Sequence, residues 1–423
     1  MNNMMEPKIR FKGFEGEWRK AKLGDIATFS KGSGYSKSDL CKEGSPIVLY
    51  GRLYTKYQSI IDEIDTFVAP KANSVISTGG EVIIPASGES PEDISLAATI
   101  KNAGVIIGGD LNVLKFDCNN NNPDFMSMAI TYSPTRSELS NYSQGKTVVH
   151  LRNSEIAKGN VCFPRIEEQK AIVNYVLSLD SQIFASTSRL ASLKQMKAAS
   201  LQAMFPQEGE TVPKIRFKGF EGEWKKVMFS ETFEFLKNNS LSRAELSNEG
   251  DIVNVHYGDV LIKYGDLLNI QNEELTFIAD NKIGNTLYNS CHLQNGDIII
   301  ADAAEDNTVG KCSEIVNICN KRVVSGLHTI PCRPLNHFAQ GYLGHYINSE
   351  SYHNQLLPLI QGSKISSISK KTLSQTIVLV PSIEEQKCIG NYFTSLDRQI
   401  SLQSQRLEKL KQIKSACLDK MFV

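Results

Sequence analysis

The sequence predicts an α+β protein in which two globular α/β domains are separated by a pair of long antiparallel coiled-coil helices. Two repeated segments predict this architecture. A segment near the start, Pro7 to Trp18, returns residue for residue as Pro213 to Trp224, and we call these copies the opening motifs. A longer segment with helical periodicity, 166–205, has a second copy at 383–422. The chain therefore contains an internal duplication, whose halves we expect to be related by a pseudo-twofold axis.

The composition is typical of folded domains in the cytoplasm. Hydrophobic residues make up 41% and charged residues 22% of the 423 residues, as in globular domains with apolar cores. The sequence has no apolar run of about 18 residues and no signal peptide at its start, so we expect a cytoplasmic location without membrane contact. The nine cysteines form no Cys-x-x-Cys pair, which favours reduced thiols over disulfides or a zinc site, and we expect no metal.

The charge balance limits the kinds of partner. Lysine and arginine total 46, and aspartate and glutamate also total 46, so the formal net charge is zero. Phosphate neutralisation supplies much of the affinity of nucleic-acid-binding proteins. A uniformly basic surface is therefore excluded, and any contact with DNA must come from a local patch.

The two repeats divide the chain into segments. The opening motifs lie 206 residues apart and the long helical segments 217 residues apart, so the second domain carries 11 more residues than the first. A period of more than 200 residues is far longer than that of solenoid repeats and indicates two domains. The predicted segments are a first globular domain at 1–162, a long helix at 163–205, a linker at 206–212, a second globular domain at 213–380 and a C-terminal long helix at 381–423.

The two globular domains share little sequence, but they share turns and strands. A glycine, an acidic residue and a β-branched run at 80–84 recur at 296–300, a pattern typical of a turn that enters a buried strand. Strands mixed with short helices, predicted at 124–132 and 337–350, indicate an α+β body. Two dipeptides also recur: Tyr50-Gly51 as Tyr257-Gly258, and Gln144-Gly145 as Gln361-Gly362. A common scaffold with divergent side chains indicates one task performed on two targets.

Both long segments carry apolar residues at the alternating spacing of four and three that forms a coiled-coil seam. One polar residue interrupts each seam at the same place, Ser186 in the first and Gln403 in the second, and we expect them to fix the register. At about 1.5 Å per residue, each helix is roughly 60 Å long. The predicted seam residues are Ile172, Val176, Leu179, Ile183, Leu190 and Leu193 in the first helix, and Ile389, Phe393, Leu396, Ile400, Leu407 and Leu410 in the second.

Chain connectivity predicts the direction of the two helices. The first helix leaves the first domain and, through the short linker at 206–212, delivers the chain to the second domain. The second helix then returns along the first, so we expect an antiparallel pair. The alternative is two independent domains, each with an amphipathic helix packed on its own body.

The order of these elements resembles that of the specificity subunit of type I restriction-modification systems. The resemblance covers essentially the whole chain, and its most specific parts are the opening motifs and the Glu-Glu-Gln-Lys starts of the helices, at 167–170 and 384–387. It implies that each globular domain is a target recognition domain, which reads one half of a bipartite, asymmetric sequence in double-stranded DNA. It also implies that the helices space the half-sites and dock two methyltransferase (modification) subunits, through which restriction subunits attach.

The same resemblance implies that this chain is not catalytic and holds no cofactor, because S-adenosylmethionine and ATP with Mg belong to the partner subunits. Two partial motifs do not change this expectation. Gly145-Lys146-Thr147 lacks the phosphate-loop glycine five positions earlier, where Ser140 stands. Asn122-Pro123-Asp124-Phe125 lacks the second proline of the amino-methyltransferase motif. An enzyme without a recognisable motif, and a coiled-coil adaptor that does not bind DNA, are the alternatives.

Polar residues in and near the recurring turns are the candidates for DNA contact. Lysine and arginine neutralise phosphates, whereas serine and tyrosine hydroxyls contact phosphates, sugars and base edges. For each residue the alternative is a solvated charge, or a tyrosine packed at a strand edge. The candidates are Tyr50, Arg52, Lys56, Tyr57 and Lys146 in the first domain, and Tyr257, Lys263, Tyr264, Ser363 and Lys364 in the second.

Charged residues on the outer faces of the long helices are the candidates for docking of the partner subunits, with a solvated face as the alternative. The aromatic residues of the opening motifs, including Trp18 and Trp224, are instead expected in the core, where they join each domain to the base of a helix. The docking candidates are Glu168, Lys170, Arg189 and Lys194 in the first helix, and Glu385, Lys387, Arg406 and Lys411 in the second.

Overall fold

The structure is a computed structural model that describes residues 5–145, 147–271, 274–362 and 364–423. The chain forms two compact units. Unit one comprises Met1–Ser186 with Arg406–Val423, and unit two comprises Thr187–Gln405. Each long helix therefore contributes one segment to each unit.

Unit one contains the first globular domain, in which short strands and short helices lie between the opening motif and the first long helix. Its strands are β1 (Arg19–Lys22), β2 (Ala27–Lys31), β3 (Leu40–Cys41), β4 (Ser45–Val48), β5 (Ile60–Ile61), β6 (Phe67–Val68), β7 (Ile76–Thr78), β8 (Glu81–Pro85), β9 (Ser87–Gly88), β10 (Ala98–Ile100), β11 (Ala103–Ile107), β12 (Leu111–Phe116), β13 (Val149–His150) and β14 (Asn160–Phe163). Its helices are α1 (Leu23–Ile26), α2 (Arg52–Thr55), α3 (Pro91–Ile94), α4 (Pro123–Tyr132), α5 (Pro134–Tyr142), α6 (Asn153–Ile156) and the first part of the long α7 (Ile166–Met204), with a 3-10 turn at Lys37–Asp39.

Mixed sheets form the body of this domain. One has the strand order β2-β12-β8-β10-β5, and another has the order β3-β6-β4-β11-β7. The central strand β8 is buried along its whole length, as its run of β-branched residues predicts. β1 and β14 pair antiparallel, so the domain begins and ends on neighbouring strands, just before α7 starts.

The apolar core of unit one joins the domain to the long helices. Asn122 caps α4 with its side chain, which accepts a hydrogen bond from Phe125 N, and Pro123 occupies the first turn. The Phe125 ring is fully buried, 5.7 Å from the Trp18 ring and 5.5 Å from the Phe422 ring between centroids. The prediction that Trp18 belongs to the core is confirmed, since it is 2% exposed.

Unit two repeats this plan with the second globular domain. Its strands are β15 (Lys225–Met228), β16 (Phe233–Phe235), β17 (Leu246–Ser247), β18 (Ile252–Val255), β19 (Leu267–Asn269), β20 (Phe277–Ile278), β21 (Ile298–Ala301), β22 (Ala303–Ala304), β23 (Cys312–Val316), β24 (Arg322–Ser325), β25 (Thr329–Pro334), β26 (Ser366–Ser367) and β27 (Ile377–Val380). Its helices are α8 (Phe229–Thr232), α9 (Tyr257–Ile262), α10 (Asn281–Ser290), α11 (Tyr342–Asn348), α12 (Glu350–His353), α13 (Lys370–Ser374) and the first part of the long α14 (Ile383–Lys420), with 3-10 turns at Arg243–Glu245 and Leu357–Leu359.

The duplication extends to the strand order of the sheets. The order β16-β25-β21-β23-β19 corresponds strand for strand to the first sheet of unit one, and β17-β20-β18-β24 corresponds to the second sheet without its last strand. Where the first domain has β7 between β6 and β8, the second has α10 between β20 and β21. The same backbone plan is thus built from bodies that share little sequence.

The helix predicted at 337–350 is shorter than expected, because α11 begins only after Gly341, whose φ is +84°. The Glu314 carboxylate accepts hydrogen bonds from Gly341 N at 2.8 Å and from Gly344 N at 3.0 Å, and it thereby satisfies amides at the start of the helix. Gly344 also allows a close approach, since a Cβ there would lie 2.2 Å from Asp266 O. This approach places α11 beside the segment that carries Asp266.

In each unit the segments of α7 and α14 run antiparallel, because residue numbers rise along one helix as they fall along the other. The contacting pairs are Tyr175 with Cys417 and Asp180 with Lys414 in unit one, and Lys197 with Asp397 and Ser200 with Tyr392 in unit two. Neither α7 nor α14, nor any other helix among the described residues, is long and apolar enough to cross a bilayer.

Candidate nucleic-acid interface

In the first domain, two elements lie side by side: the turn that begins at Tyr50, which we call the tyrosine turn, and the hairpin that starts at Gln144, which we call the Gln-Gly hairpin. The equivalent elements of the second domain, which begin at Tyr257 and Gln361, carry the same names. Tyr50 is exposed just before α2, and its ring centroid lies 5.9 Å from that of Tyr54. Tyr54 Oη donates a hydrogen bond to Ser87 O at 2.6 Å. Ser87 belongs to β9, which pairs with β13, and β13 closes a hairpin that starts at Gln144. Segments that are far apart in the sequence therefore form one continuous surface.

The second domain has an equivalent surface. Tyr257, half-buried at the start of α9, lies edge-on to the His328 ring with 5.3 Å between centroids. His328 Nδ1 lies 3.2 Å from Asp302 Oδ1. Asp302 directly precedes β22, which pairs with β26 in a hairpin that starts at Gln361. The tyrosine turn and the Gln-Gly hairpin are again connected through one short strand.

The two hairpins are closed by the same backbone contacts. In the first, Gln144 and His150 exchange backbone hydrogen bonds of 2.9 and 2.8 Å. In the second, Gln361 and Ser367 exchange hydrogen bonds of 3.0 and 2.7 Å. Five residues span each hairpin between these closing pairs, so the Gln-Gly dipeptides predict a matched element in both domains.

Glycine is required at the second position of each hairpin. Gly145 has a φ of +133° and Gly362 a φ of +105°, values that strain other residues. A Cβ at either position would lie 2.0 Å from the carbonyl oxygen three residues later, that of Val148 or Ile365. Both of these aliphatic side chains are exposed, at 50% and 61%, so each hairpin presents an apolar residue to solvent.

Among the first-domain candidates, Arg52 does not face solvent. It is 9% exposed, and its Nη1 donates to Asp65 Oδ1 at 2.6 Å. The prediction that Arg52 contacts DNA is therefore corrected, because α2 directs this guanidinium into a structural ion pair. Tyr57 is half-buried, and its hydroxyl donates inward to Ala97 O at 2.9 Å, with burial raising its pKa. Lys56 remains exposed, beside the same Asp65.

Among the second-domain candidates, Tyr264 is a core residue. It is 2% exposed within the apolar cluster beneath α9, so the prediction that it contacts DNA is corrected. Repetition of the tyrosine in both domains reflects the shared scaffold in this case. Lys263 and Lys364 are exposed. Lys146 and Ser363 lie outside the described residues, so their predicted contacts stay predictions.

Three residues of these surfaces were missed from the sequence. Tyr54 follows Tyr50 at the spacing of one helical turn, which is a signal that could have identified it. Asp302 and His328 carry no such signal, because strand pairing brings them together: Asp302 N donates to His328 O at 3.1 Å. Their contact depends on the register of β21 and β25, which the sequence does not reveal.

The opening motifs bind the first turns of the long helices. Arg10 Nε and Nη2 donate to Glu168 at 2.8 Å each, and Arg216 Nε and Nη2 donate to Glu385 at 2.6 and 2.7 Å. The hydrogen bonds to the glutamates raise the pKa of both arginines. Glu168 and Glu385 are 2% and 1% exposed, so the prediction that they form an outer docking face is wrong. In the first turn of each helix, this glutamate faces the opening motif instead of solvent.

The other docking candidates are exposed on the long helices, and their contact with partner subunits stays a prediction. They are Lys170, Arg189, Lys194, Lys387, Arg406 and Lys411. Large apolar side chains are exposed on the same helices, with Phe184 at 74% and Leu402 at 55%. The solvent-facing sides of α7 and α14 therefore combine positive charge with apolar area.

The predicted seam positions are turned away from solvent to different degrees. Buried positions are Ile172, Val176, Leu179, Leu193, Ile389, Phe393, Leu396 and Leu407, and half-buried positions are Ile183, Leu190, Ile400 and Leu410. In unit one, Ile172, Val176 and Leu179 belong to the same apolar core as Phe125. In unit two, Ile389 and Phe393 belong to the core that contains Trp224, which is 2% exposed.

A cluster of charged residues connects the long helices to the second domain. Lys197 Nζ donates to Asp266 Oδ2 at 2.7 Å and to Asp397 Oδ1 at 2.5 Å, and His345 Nδ1 lies 2.9 Å from Asp266 Oδ2. Burial opposes the ionisation of Lys197, but the two aspartates outweigh it and raise its pKa. Asp266, His345 and Asp397 could together ligate a metal ion. However, the Lys197 ammonium already supplies the positive charge between the carboxylates, so we interpret the cluster as a structural ion-pair network.

Known proteins resemble the chain along most of its length. A family model described as "Type I restriction modification DNA specificity domain" matches residues 15–195 and again 221–412. Over 421 residues the chain is 20% identical to the type I restriction enzyme MjaVIII specificity subunit of Methanocaldococcus jannaschii, covering 95% of this chain and 91% of that protein. Over 351 residues it is 21% identical to the EcoKI specificity subunit of Escherichia coli, covering 76% and 73%.

The fold has a counterpart among solved structures. The crystal structure of the type I restriction-modification S subunit from M. genitalium superposes with a TM-score of 0.58 at 15% sequence identity, covering 99% of both chains. At this identity the likeness concerns the fold. The sequence matches carry the assignment, since the two copies of the family domain span most of the residues. The chain therefore belongs to the family of type I restriction-modification specificity subunits.

Proposed function

We propose that this chain selects the DNA target of a type I restriction-modification complex, with each globular domain recognising one half of a bipartite, asymmetric sequence. One observation carries the proposal: each domain presents an equivalent surface in which a tyrosine turn adjoins a Gln-Gly hairpin. The side chains at these surfaces differ, with Tyr54 on one and His328 with Asp302 on the other. Two different surfaces require two different half-sites, unlike the palindrome read by a symmetric dimer.

The exposed residues of these surfaces supply the proposed contacts. Lys56, Lys263 and Lys364 neutralise phosphates, and Tyr50 and Tyr257 donate hydrogen bonds or stack at the groove edge. Because the net charge of the chain is zero, long-range attraction to DNA is weak, and these local charges must hold the duplex. Lys146 and Ser363, which directly follow Gly145 and Gly362 in the sequence, complete the proposed set.

The long helices have the proposed role of spacing the half-sites. α7 has 39 residues and α14 has 38, which corresponds to about 58 Å of helix at 1.5 Å per residue. A duplex of this length contains roughly 17 base pairs at 3.4 Å per step. That length accommodates two short half-sites and an unread spacer. If the helices form a stiff spacer, both domains can bind at once only when the two half-sites are separated by the matching number of base pairs.

Docking of two methyltransferase subunits is proposed for the exposed faces of α7 and α14, with restriction subunits attached through them. The exposed positive residues recur at equivalent positions of the two helices, Lys170 with Lys387, Arg189 with Arg406 and Lys194 with Lys411, which supports two equivalent partners. In this scheme S-adenosylmethionine, ATP and Mg bind to the partner subunits, and this chain contributes target choice without catalysis.

The experiment is to copurify the chain with methyltransferase subunits and map methylated bases genome-wide. We expect a two-part sequence to be methylated, and this methylation to disappear without the chain. Exchanging residues 227–379 for the corresponding body of a homologue should change one half-site only. An unchanged methylation map without the chain, or both half-sites changing together, would contradict the proposal. A complex that assembles without protecting DNA would favour the adaptor, and methylation by the chain alone would favour an enzyme.

A further inference from the structure

One backbone feature recurs beside both proposed DNA surfaces. Asp110 and His328 are non-glycine residues with positive φ, at +57° and +53°. They occupy equivalent positions, because each directly precedes the strand, β12 or β25, that pairs with the central strand of its sheet. Asn317 and Cys319 also have positive φ, but they lie in the turn between β23 and β24.

The position of these two residues connects them to the hairpins. Asp110 O accepts a hydrogen bond from Ala86 N at 2.7 Å, and His328 O accepts one from Asp302 N at 3.1 Å. Ala86 O and Asp302 O in turn accept hydrogen bonds from the residues that follow the hairpin strands, Leu151 N at 3.0 Å and Ile368 N at 2.9 Å. In both domains the left-handed residue thus lies one strand away from the Gln-Gly hairpin.

The side chains at the two positions are polar and accessible. Asp110 is exposed, and its carbonyl oxygen binds the backbone of Ala86, the neighbour of Ser87, whose carbonyl oxygen accepts the hydrogen bond from the Tyr54 hydroxyl. The His328 side chain is 51% exposed, and its ring packs edge-on against Tyr257. Asp110 therefore lies near the pair Tyr50 and Tyr54 in the first domain, and His328 lies beside Tyr257 in the second.

The backbone conformation has a cost that a glycine would remove. Non-glycine residues rarely adopt positive φ, and aspartate, asparagine and histidine tolerate it best. Both domains nevertheless have a residue with a side chain at this place. In the first domain the two preceding residues, 108 and 109, are glycines, but residue 110, which has the positive φ, is an aspartate. Strain retained next to a binding surface is typical of residues whose side chains have a function.

We propose that Asp110 and His328 are specificity-determining residues, each accepting a hydrogen bond from the exocyclic amino group of adenine or cytosine in its own half-site. A carboxylate is repelled by phosphates, so on a DNA-facing surface it pairs with a base amino group in the major groove. The proposal takes His328 in the neutral tautomer whose Nδ1–H donates to Asp302 Oδ1 at 3.2 Å, which leaves Nε2 as the acceptor. This inference rests on the proposed function and names the residues that read one base pair in each half-site.

The test uses the chain assembled with its methyltransferase subunits and compares methylation maps. Asp110→Asn and His328→Asn retain a residue that tolerates positive φ, while they change the hydrogen-bonding groups offered to a base. We expect Asp110→Asn to relax or change one base pair of the first half-site, and His328→Asn one of the second, with discrimination changing about 5- to 150-fold. Asp62→Asn and His337→Asn alter exposed residues away from these turns and should leave the recognition sequence unchanged.

The outcomes separate this inference from the proposed function. If the unaltered complex methylates no two-part sequence, the proposed function fails. If it does, but both variants retain the original sequence, or each variant alters both half-sites, only the present inference is overturned. Thermal unfolding checks that the variants are folded. Should an asparagine variant unfold, Asp110→Gly and His328→Gly relieve the backbone strain and give the same readout.

Discussion

Lys197 Nζ lies 2.5 Å from Asp397 Oδ1, and Lys414 makes the same contact with Asp180 in the other copy of the duplication. Each pair joins α7 to α14 within one unit. The surroundings of the two pairs differ. Lys197 also binds Asp266, whereas Asp180, the partner of Lys414, has about half of its side chain exposed to solvent. One contact inherited by both copies has therefore been extended by further charges in unit two.

The two lysines should contribute unequally to stability. Lys197→Met leaves two partly buried carboxylates without their cation, so we expect a loss of about 3 kcal/mol in the free energy of unfolding. Lys414→Met breaks a pair whose side chains are 27% and 44% exposed, so we expect a loss below about 1 kcal/mol. Denaturant unfolding of the two matched variants measures this difference, and equal losses would contradict the ion-pair network.

Acid should weaken the same network. Burial opposes the ionisation of Asp266, but the hydrogen bond with His345 and the charge of Lys197 outweigh it and lower its pKa. A carboxylate with a lowered pKa stabilises the folded state above its unfolded value of about 3.9, and this contribution is lost as the pH falls towards the folded pKa. We expect Asp266→Asn to lower the melting temperature at neutral pH, with the difference from the unaltered chain shrinking below about pH 4. A difference that is constant with pH would contradict this assignment.

The charged network also indicates how far the sequence could predict the structure. Lys197 falls on the heptad seam, and its copy Lys414 falls at the same place, so periodicity could place both lysines between the helices. Asp266 and His345 could not be predicted, because β19 and α11 bring them together only when the sheet and the helix pack. Their equivalents in the first domain, Ser59 and Met128, carry no charge and give no repeated signal.

The Arg216–Glu385 pair should stabilise the attachment of the opening motif. Arg216→Met leaves the Glu385 carboxylate buried without a cation, and we expect a loss of roughly 3 kcal/mol, at the lower end for buried pairs because Arg216 is partly exposed. The double variant Arg216→Met with Glu385→Met removes both charges and should recover much of this loss. Arg10→Met provides the matched change in unit one. A double variant as unstable as the sum of the two single variants would show that the residues do not interact.

Repetition in the sequence predicted the site less well than it predicted the scaffold. Tyr57 and Tyr264 occupy the same position in the two domains, but one hydroxyl points inward and the other tyrosine is in the core. The Gln-Gly dipeptides, in contrast, predicted a matched surface element. A tyrosine can recur in both domains simply because it packs in the same core. A glycine that recurs in a turn is required by the backbone conformation there, so a repeated glycine predicts a matched loop.

The hairpins should therefore be sensitive to a single methyl group. Gly362→Ala places a Cβ 2.0 Å from Ile365 O at a positive φ, so the hairpin must open or distort at a cost of about 1–3 kcal/mol. We expect the affinity of the assembled complex for its target to fall about 5- to 150-fold, as measured by DNA binding, with the core of unit two still folded. Gly34→Ala is the control, because nothing lies within 4 Å of its Cβ position and Gly34 belongs to neither proposed DNA surface. Equal affinity for the two variants would exclude the hairpin from the interface.

Lengthening the helices should move the half-sites apart. Seven residues inserted after Ser186 in α7 and seven after Gln405 in α14 preserve the heptad phase at the two points where the helices pass from one unit to the other. Each insertion adds about 10.5 Å of helix, equivalent to roughly three base pairs. If the helices set the spacing, the methylated sequence should retain both half-sites with a spacer about three base pairs longer. Insertion into α7 alone leaves the two helices unequal in length and should abolish methylation. Two equal insertions that left the spacer unchanged would mean that the DNA, or a partner subunit, sets the distance between the half-sites.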